Sequence, residues 1–162
     1  MKIRVLMISY NRAKYTEMAL AQLCKTATDD VEIYLWDNNS NQETKDVIKK
    51  YENHKNVVKV IYNNKNDHLR VPTNWFWDTY GDCDFLSKVD DDCLVPDDWL
   101  KTLVNAHHDT PEFGILGCWR YFPEDFIKEE ASKKIKEFGD HKLMRNCWVE
   151  GSGYLMKASI VN

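Results

Sequence analysis

The chain reads as an α/β protein built on a mainly parallel sheet flanked by helices. Three observations predict this. Short apolar segments alternate along the chain with amphipathic helical ones. The apolar segments are nearly continuous rather than alternating with polar residues, as strands buried on both faces are. Polar, turn-forming loops follow them. In such sheets the ligand lies in the crevice at the carboxyl ends of the strands, so the loops there are the first place to look for function.

Taken in order, Ile3–Ser9 is a strand rich in β-branched and apolar residues. A helix over Ala13–Thr26 follows, with Leu20, Leu23, Cys24 and Ala27 at helical spacing. Residues 31–36 form a second strand, closed by Asp37, Asn38, Asn39 and Ser40. A helix over 43–53 places Val47, Ile48 and Tyr51 on one face, and Val57–Tyr62 is the third strand. After a polar loop, residues 72–80 read as a short helix with Pro72 at its start. A fourth strand over 84–89 leads into three consecutive aspartates, Asp90, Asp91 and Asp92. A helix over 97–107 and a strand over 113–118 complete the regular part, with Asp97 and Asp98 expected to cap that helix.

The remainder is less regular. Residues 123–139 are highly charged, with Phe126, Ile127, Ile135 and Phe138 as scattered apolar points, and read as an exposed helix or an excursion over the site. Residues 147–150 and 154–156 look like strand pieces around Gly151, Ser152 and Gly153.

Composition narrows the classes. The 162 residues suit one domain spanning 1–162. A net charge of −4 leaves no basic face for nucleic acid. No apolar run reaches the roughly 18 residues needed to span a bilayer. The five cysteines contain no CxxC pair and read as reduced thiols, so a cytoplasmic location is expected. The histidines, including His107 and His108, show no metal-ligand spacing.

The aspartate triplet is the most informative stretch. Adjacent like charges are poor strand and helix formers. At a strand end facing a crevice they suit a hard divalent cation, which in turn suits a phosphorylated ligand. The first glycine of the chain is Gly81. Neither a GxGxxG dinucleotide loop nor a P-loop can therefore follow the first strand. A bound diphosphate must be held by a metal and by side chains.

The ordered set ISYNR at 8–12, WDNNS at 36–40, NNKNDHLRVPTNW at 63–75 and DDDCLVPDDWL at 90–100 resembles the family 2 glycosyltransferases, which have the GT-A (Rossmann-like) fold. WVEGSGYLMKASI at 148–160 is a weaker match. The resemblance implies a nucleotide-sugar donor, most often a UDP-sugar, an acceptor hydroxyl, and Mn²⁺ or Mg²⁺ as cofactor. It places Ser9, Tyr10, Asn11 and Arg12 around the nucleobase, ribose and phosphate, with Asn39 in the second loop. Asp37 matches the acid that accepts from the uracil N3–H. Arg70 falls near the diphosphate and Asn74 on the helix that follows. Asp90, Asp91 and Asp92 resemble the DXD motif: Asp90 and Asp92 fit the spacing for the metal, while alignment on Pro96 moves the pair to Asp90 and Asp91. Gly151 and Gly153 match the segment lining the sugar and acceptor cleft.

The resemblance also implies a general base beyond residue 157, where this sequence has no acidic residue. Glu150 is the foremost internal candidate, with Asp125 and Asp140 behind it. Two other readings stay open: a sugar-nucleotidyltransferase, which normally opens with the glycine-rich loop absent here, and a nucleotide-sugar-binding domain without a base. Asn11 as a helix cap, and Asp37 with Asn38 as plain turn formers, are the structural alternatives at those positions.

Overall fold

Strand β1 (Ile3–Ser9) lies inside the sheet, and every one of its residues is buried. β2 (Val31–Asp37) and β4 (Phe85–Asp90) flank it in parallel, and β3 (Val57–Tyr62) pairs in parallel with the outer side of β2. The computed structural model describes residues 1–118, 124 and 126–161. Its six-stranded sheet has the order β3-β2-β1-β4-β8-β5. β8 (Tyr154–Lys157) is antiparallel to both β4 and β5 (Ile115–Gly117). The α/β class and the mainly parallel sheet are as the sequence predicts.

Strand alternation sends successive β1 side chains to opposite faces, which creates two cores. Val5 and Met7 join Ile33, Leu35 and Val89 under α1 (Ala13–Thr26), α2 (Gln42–Tyr51) and α4 (Trp99–Asp109). Leu6 and Ile8 join Tyr34, Trp36 and Leu86 on the other face. There α3 (Arg70–Tyr80) inserts the fully buried Phe76. Tyr34 meets the Phe76 ring edge-on at 5.2 Å. Burying one side chain of this size is worth about 2–3 kcal/mol.

The structure corrects several sequence expectations. α3 begins at Arg70, two residues before Pro72, and both the Thr73 N–H and its hydroxyl donate to the Leu69 carbonyl. Proline is tolerated throughout a first turn, where its missing N–H has no helical partner anyway. Asp98 occupies the N-cap of α4 without a side-chain cap bond. Asp97 instead accepts from Gln22 and Lys25 of α1, both at 2.9 Å. Residues 147–150 form no strand.

The charged segment resolves into α5 (Lys128–Lys134) and a separate hairpin, β6 (Ile135–Phe138) with β7 (His141–Met144). Phe138 packs against Phe113 at 5.3 Å, a long-range contact that no local pattern announces. Asp125, like residues 119–123 and 162, lies outside the described residues. Among the described residues, no helix is long and apolar enough to cross a membrane.

Candidate functional site

Four parallel strands end on one side of the sheet, and their loops enclose a cavity of about 290 Å³. Its wall is Ile8 of β1 with Tyr10 and Arg12 after it, Asn38 after β2, Asn66, His68 and Leu69 after β3, and Asp90, Asp91 and Asp92 at the end of β4. A groove of similar size between α1 and α2 is lined by lysines and carboxylates of the two helix surfaces, with Ala13 and Val47. The strand-end cavity is the one where four chain segments converge on chemistry-bearing groups.

The backbone around this cavity is strained. Among the described residues, three non-glycine residues have positive φ: Asn11 at 55°, Asn39 at 64° and His68 at 57°. One lies after each of β1, β2 and β3. Left-handed backbone costs an L-residue roughly 1–2 kcal/mol, less for asparagine. His68 lines the cavity, and Asn11 and Asn39 lie in loops that border it, so the left-handed backbone makes this end of the sheet a candidate functional region.

Hydrogen bonds tie the loops together. The Asn11 carboxamide oxygen accepts from the Asn41 N–H at 2.6 Å, and the Asn11 N–H donates to Ser40 Oγ at 3.2 Å. The Ser9 carbonyl, on a buried residue, accepts from the Asn38 N–H at 2.9 Å. Asn38 then spans to the third loop: its Oδ1 accepts from the Asp67 N–H, and its Nδ2 donates to the His68 carbonyl, both at 2.9 Å. Asp37 is fully buried behind this wall. Its Oδ1 accepts from the Ser40 N–H at 3.1 Å, and Lys45 Nζ lies 3.9 Å from its Oδ2.

The three aspartates occupy three different environments. Asp90 ends β4; its N–H donates to Ser152 Oγ at 2.9 Å, and its carboxylate is bonded to Lys88. Asp91 is buried, and its Oδ2 accepts from the Tyr10 N–H at 3.2 Å and the Thr16 hydroxyl at 3.4 Å. Burial raises its pKa, against the opposing pull of the Tyr10 N–H and Arg12. Asp92 is 42% exposed and forms an ion pair with Arg12, itself 53% exposed. Asp92 is thus the most accessible carboxylate, and its partner sits on a loop.

Among the described residues, no three carboxylate, imidazole or thiol groups converge as a ready-made metal cage. Mg²⁺-like cations need none: they take one or two carboxylates and complete their shell from phosphate oxygens and water. Asp92 and Asp90, adjoining an open cavity, fit that donor set.

The other residues singled out from sequence lie at varying removes. Asn39 is exposed at the apex of its turn. Arg70 and Asn74 are exposed on α3, outside the cavity wall, whereas the adjacent His68 and Leu69 belong to it. Gly153 has a φ of +68°, and its N–H donates to the Lys88 carbonyl at 2.9 Å, so glycine suits the backbone there. Around Gly151 a Cβ would meet nothing within 4 Å. Glu150 is partly buried in the irregular segment before it, and Asp140 is exposed in the hairpin turn. Neither lines the cavity. The sequence does not single out Lys88, Thr16 or His68, and it marks Asn38 and Ser152 only as turn or small residues. The third loop is marked in the sequence by the NNKNDHLRVPTNW stretch at 63–75, though the stretch does not single out His68.

The family model described as glycosyl transferase family 2 matches residues 4–158. Among solved structures, the mannosyltransferase PcManGT from Pyrobaculum calidifontis, in complex with GDP-Man and Mn2+, is similar with a TM-score of 0.65 and 20% identity. The match covers 76% of this chain and 36% of that one. TarS from S. aureus in complex with UDP-GlcNAc gives a TM-score of 0.65 at 24% identity, over 83% of this chain and 39% of that one. Another TarS crystal structure gives 0.62 at 26% identity, over 79% and 24%. The chain thus spans well under half the length of these structures.

Proposed function

Because the chain belongs to glycosyl transferase family 2, we propose that it binds a nucleotide-sugar, a UDP-sugar first among them, and transfers the sugar to an acceptor hydroxyl. The observation that carries this is the convergence of Tyr10, Arg12, Asn38, His68 and Asp90 to Asp92 on one strand-end cavity. In this reading Tyr10, 44% exposed, offers its ring to the base. Arg12 leaves Asp92 and turns its guanidinium to the diphosphate, whose oxygens match its fork. Asp92 and Asp90 are the residues that would hold Mn²⁺ or Mg²⁺. When bound, that cation neutralises charge on the leaving diphosphate as a Lewis acid.

Asp91, held by Tyr10 and Thr16, anchors the first loop to the aspartate turn rather than serving as a ligand. The burial of Asp91 and its bonds to Tyr10 and Thr16 favour Asp90 with Asp92 as the metal-holding pair. Asp37 keeps the second loop in shape, and base recognition through its carboxylate requires the Asp37–Ser40 turn to open. Gly151 leaves space beside Ser152 for the sugar. The acceptor oxygen attacks the anomeric carbon, the nucleoside diphosphate departs, and the proton passes to a base for which Glu150 is the candidate within this chain. The configuration at the anomeric carbon inverts by analogy with family members.

Incubation with a panel of radiolabelled UDP- and GDP-sugars tests the reading. Sugar release to water or an added acceptor, dependent on Mn²⁺ and lost in Asp92→Asn, is expected. Metal-dependent donor binding without any release favours a donor-binding domain lacking its base. Failure to bind any nucleotide-sugar contradicts both.

A further inference from the structure

A lysine points along the inner face of the sheet. Lys88 is 7% exposed on β4, beside its β1 partner Leu6 and on the face that buries Ile8 and Leu86. Lysine is almost never buried unless paired, and its desolvation costs several kcal/mol. A methionine would fill the same stem-shaped space at no such cost. The partner here is the Asp90 carboxylate, two residues along the same strand face. Asp90 is thereby fixed twice, by Lys88 at its carboxylate and by Ser152 Oγ at its N–H. The Lys88 carbonyl is held in turn by Gly153.

The two cations of the aspartate turn are unequal. The Arg12 side chain is 53% exposed and sits on a loop; that of Lys88 is 9% exposed and sits in the sheet. Arg12 can exchange a carboxylate for a phosphate, but Lys88 has nowhere to go. Cation affinity of an oxygen site rises with the number of charged ligands. The Lys88 ammonium held against the Asp90 carboxylate therefore weakens the turn as a site for a free cation. The missing charge and ligands are those of a diphosphate.

We propose that Lys88 is a positioning residue that makes divalent-cation binding contingent on the nucleoside diphosphate. The inference rests on the reading of Asp90 and Asp92 as metal-holding. The test is equilibrium dialysis of Mn²⁺ against the whole chain, with and without UDP, each counted against a protein-free UDP control. The wild type retains Mn²⁺ poorly alone and at least about tenfold better with UDP. Lys88→Met and Lys88→Gln raise nucleotide-free affinity by about tenfold, the scale of a residue acting behind a metal ligand, and the gain from UDP shrinks. Lys88→Arg keeps the wild-type pattern.

Lys88→Gln retains a donor toward Asp90 without the charge, so it separates electrostatics from hydrogen bonding and stands in if Lys88→Met does not fold. A wild-type pattern in the neutral variants overturns the role of Lys88 and leaves the metal reading standing. No UDP-dependent retention by the wild type overturns both.

Discussion

The two ends of the parallel sheet each carry a buried cation among carboxylates, and they use it differently. At the amino end, Arg4 donates through Nε to Glu32 at 2.8 Å and through Nη1 to Asp82 at 2.7 Å and the Tyr80 carbonyl at 2.8 Å. Glu32 is its direct register partner across β1 and β2. Burial opposes the arginine's charge, yet bonds to Glu32 and Asp82 hold its pKa up. No loop at this end contains a non-glycine residue of positive φ among the described residues. At the carboxyl end, three adjacent carboxylates share Lys88 and Arg12 beside a cavity, within loops that carry all the left-handed backbone noted above. The amino-end cluster, in which Arg4 bonds Glu32, Asp82 and the Tyr80 carbonyl and none of them lines the cavity, supports the fold. The carboxyl-end cluster, beside the cavity and its left-handed loops, is the one proposed to take a ligand.

Substitutions at the two ends should separate these roles. The largest effect is expected from Asp92→Asn: metal-dependent UDP affinity falls about 100-fold or more. Its thermal stability stays within about 0.5 kcal/mol, because the side chain is a half-exposed surface group. Calorimetric titration beside a denaturation curve reads both numbers.

Arg4→Met is the converse. Removing the cation strands Glu32 and the Tyr80 carbonyl, and urea unfolding should show a loss of about 2 kcal/mol, moderated by the exposure of Asp82. UDP affinity should not move. The same pair gives a pH signature. The hydrogen bond from Arg4 lowers the Glu32 pKa, opposed by burial. An acid whose folded pKa is depressed contributes stability above its unfolded value, about 4.3, and loses it as pH falls through the folded value. Stability of the wild type should therefore drop more steeply below about pH 5 than that of Arg4→Met. Parallel slopes contradict the role given to this pair.

Asp91→Asn should give the smallest change. The amide oxygen still accepts from Tyr10 and Thr16, while a buried charge disappears. Stability is expected to stay level or rise by about 1 kcal/mol or less. A loss above 2 kcal/mol would show that the carboxylate end is built for stability after all, and would break the contrast.

Much of the frame was legible because apolar period alone specifies it. Ile3–Ser9, Ala13–Thr26 and Val57–Tyr62 appear with their expected bounds. The errors fall where long-range contacts decide. Ile135 to Phe138 became a strand by pairing with His141 to Met144 and packing on Phe113. Asp97 left its expected cap for α1.

At the site, the loops carrying Tyr10, Arg12 and the aspartates were readable as polar strand ends. Lys88 was not, because a lysine inside an apolar strand looks like an exposed residue until its partner is known. Asn38 and His68 were hidden for another reason. Their role is to bridge loops far apart in sequence, as the Asn38 bond to the His68 carbonyl does.

The account stands most directly on one titration: UDP into the wild-type chain by calorimetry, with Mn²⁺ and with the cation chelated. It predicts binding that is at least tenfold stronger with Mn²⁺. Equal affinity in the two buffers, or no binding of UDP or GDP in either, would contradict the assignment of the strand-end cavity as a metal-assisted diphosphate site.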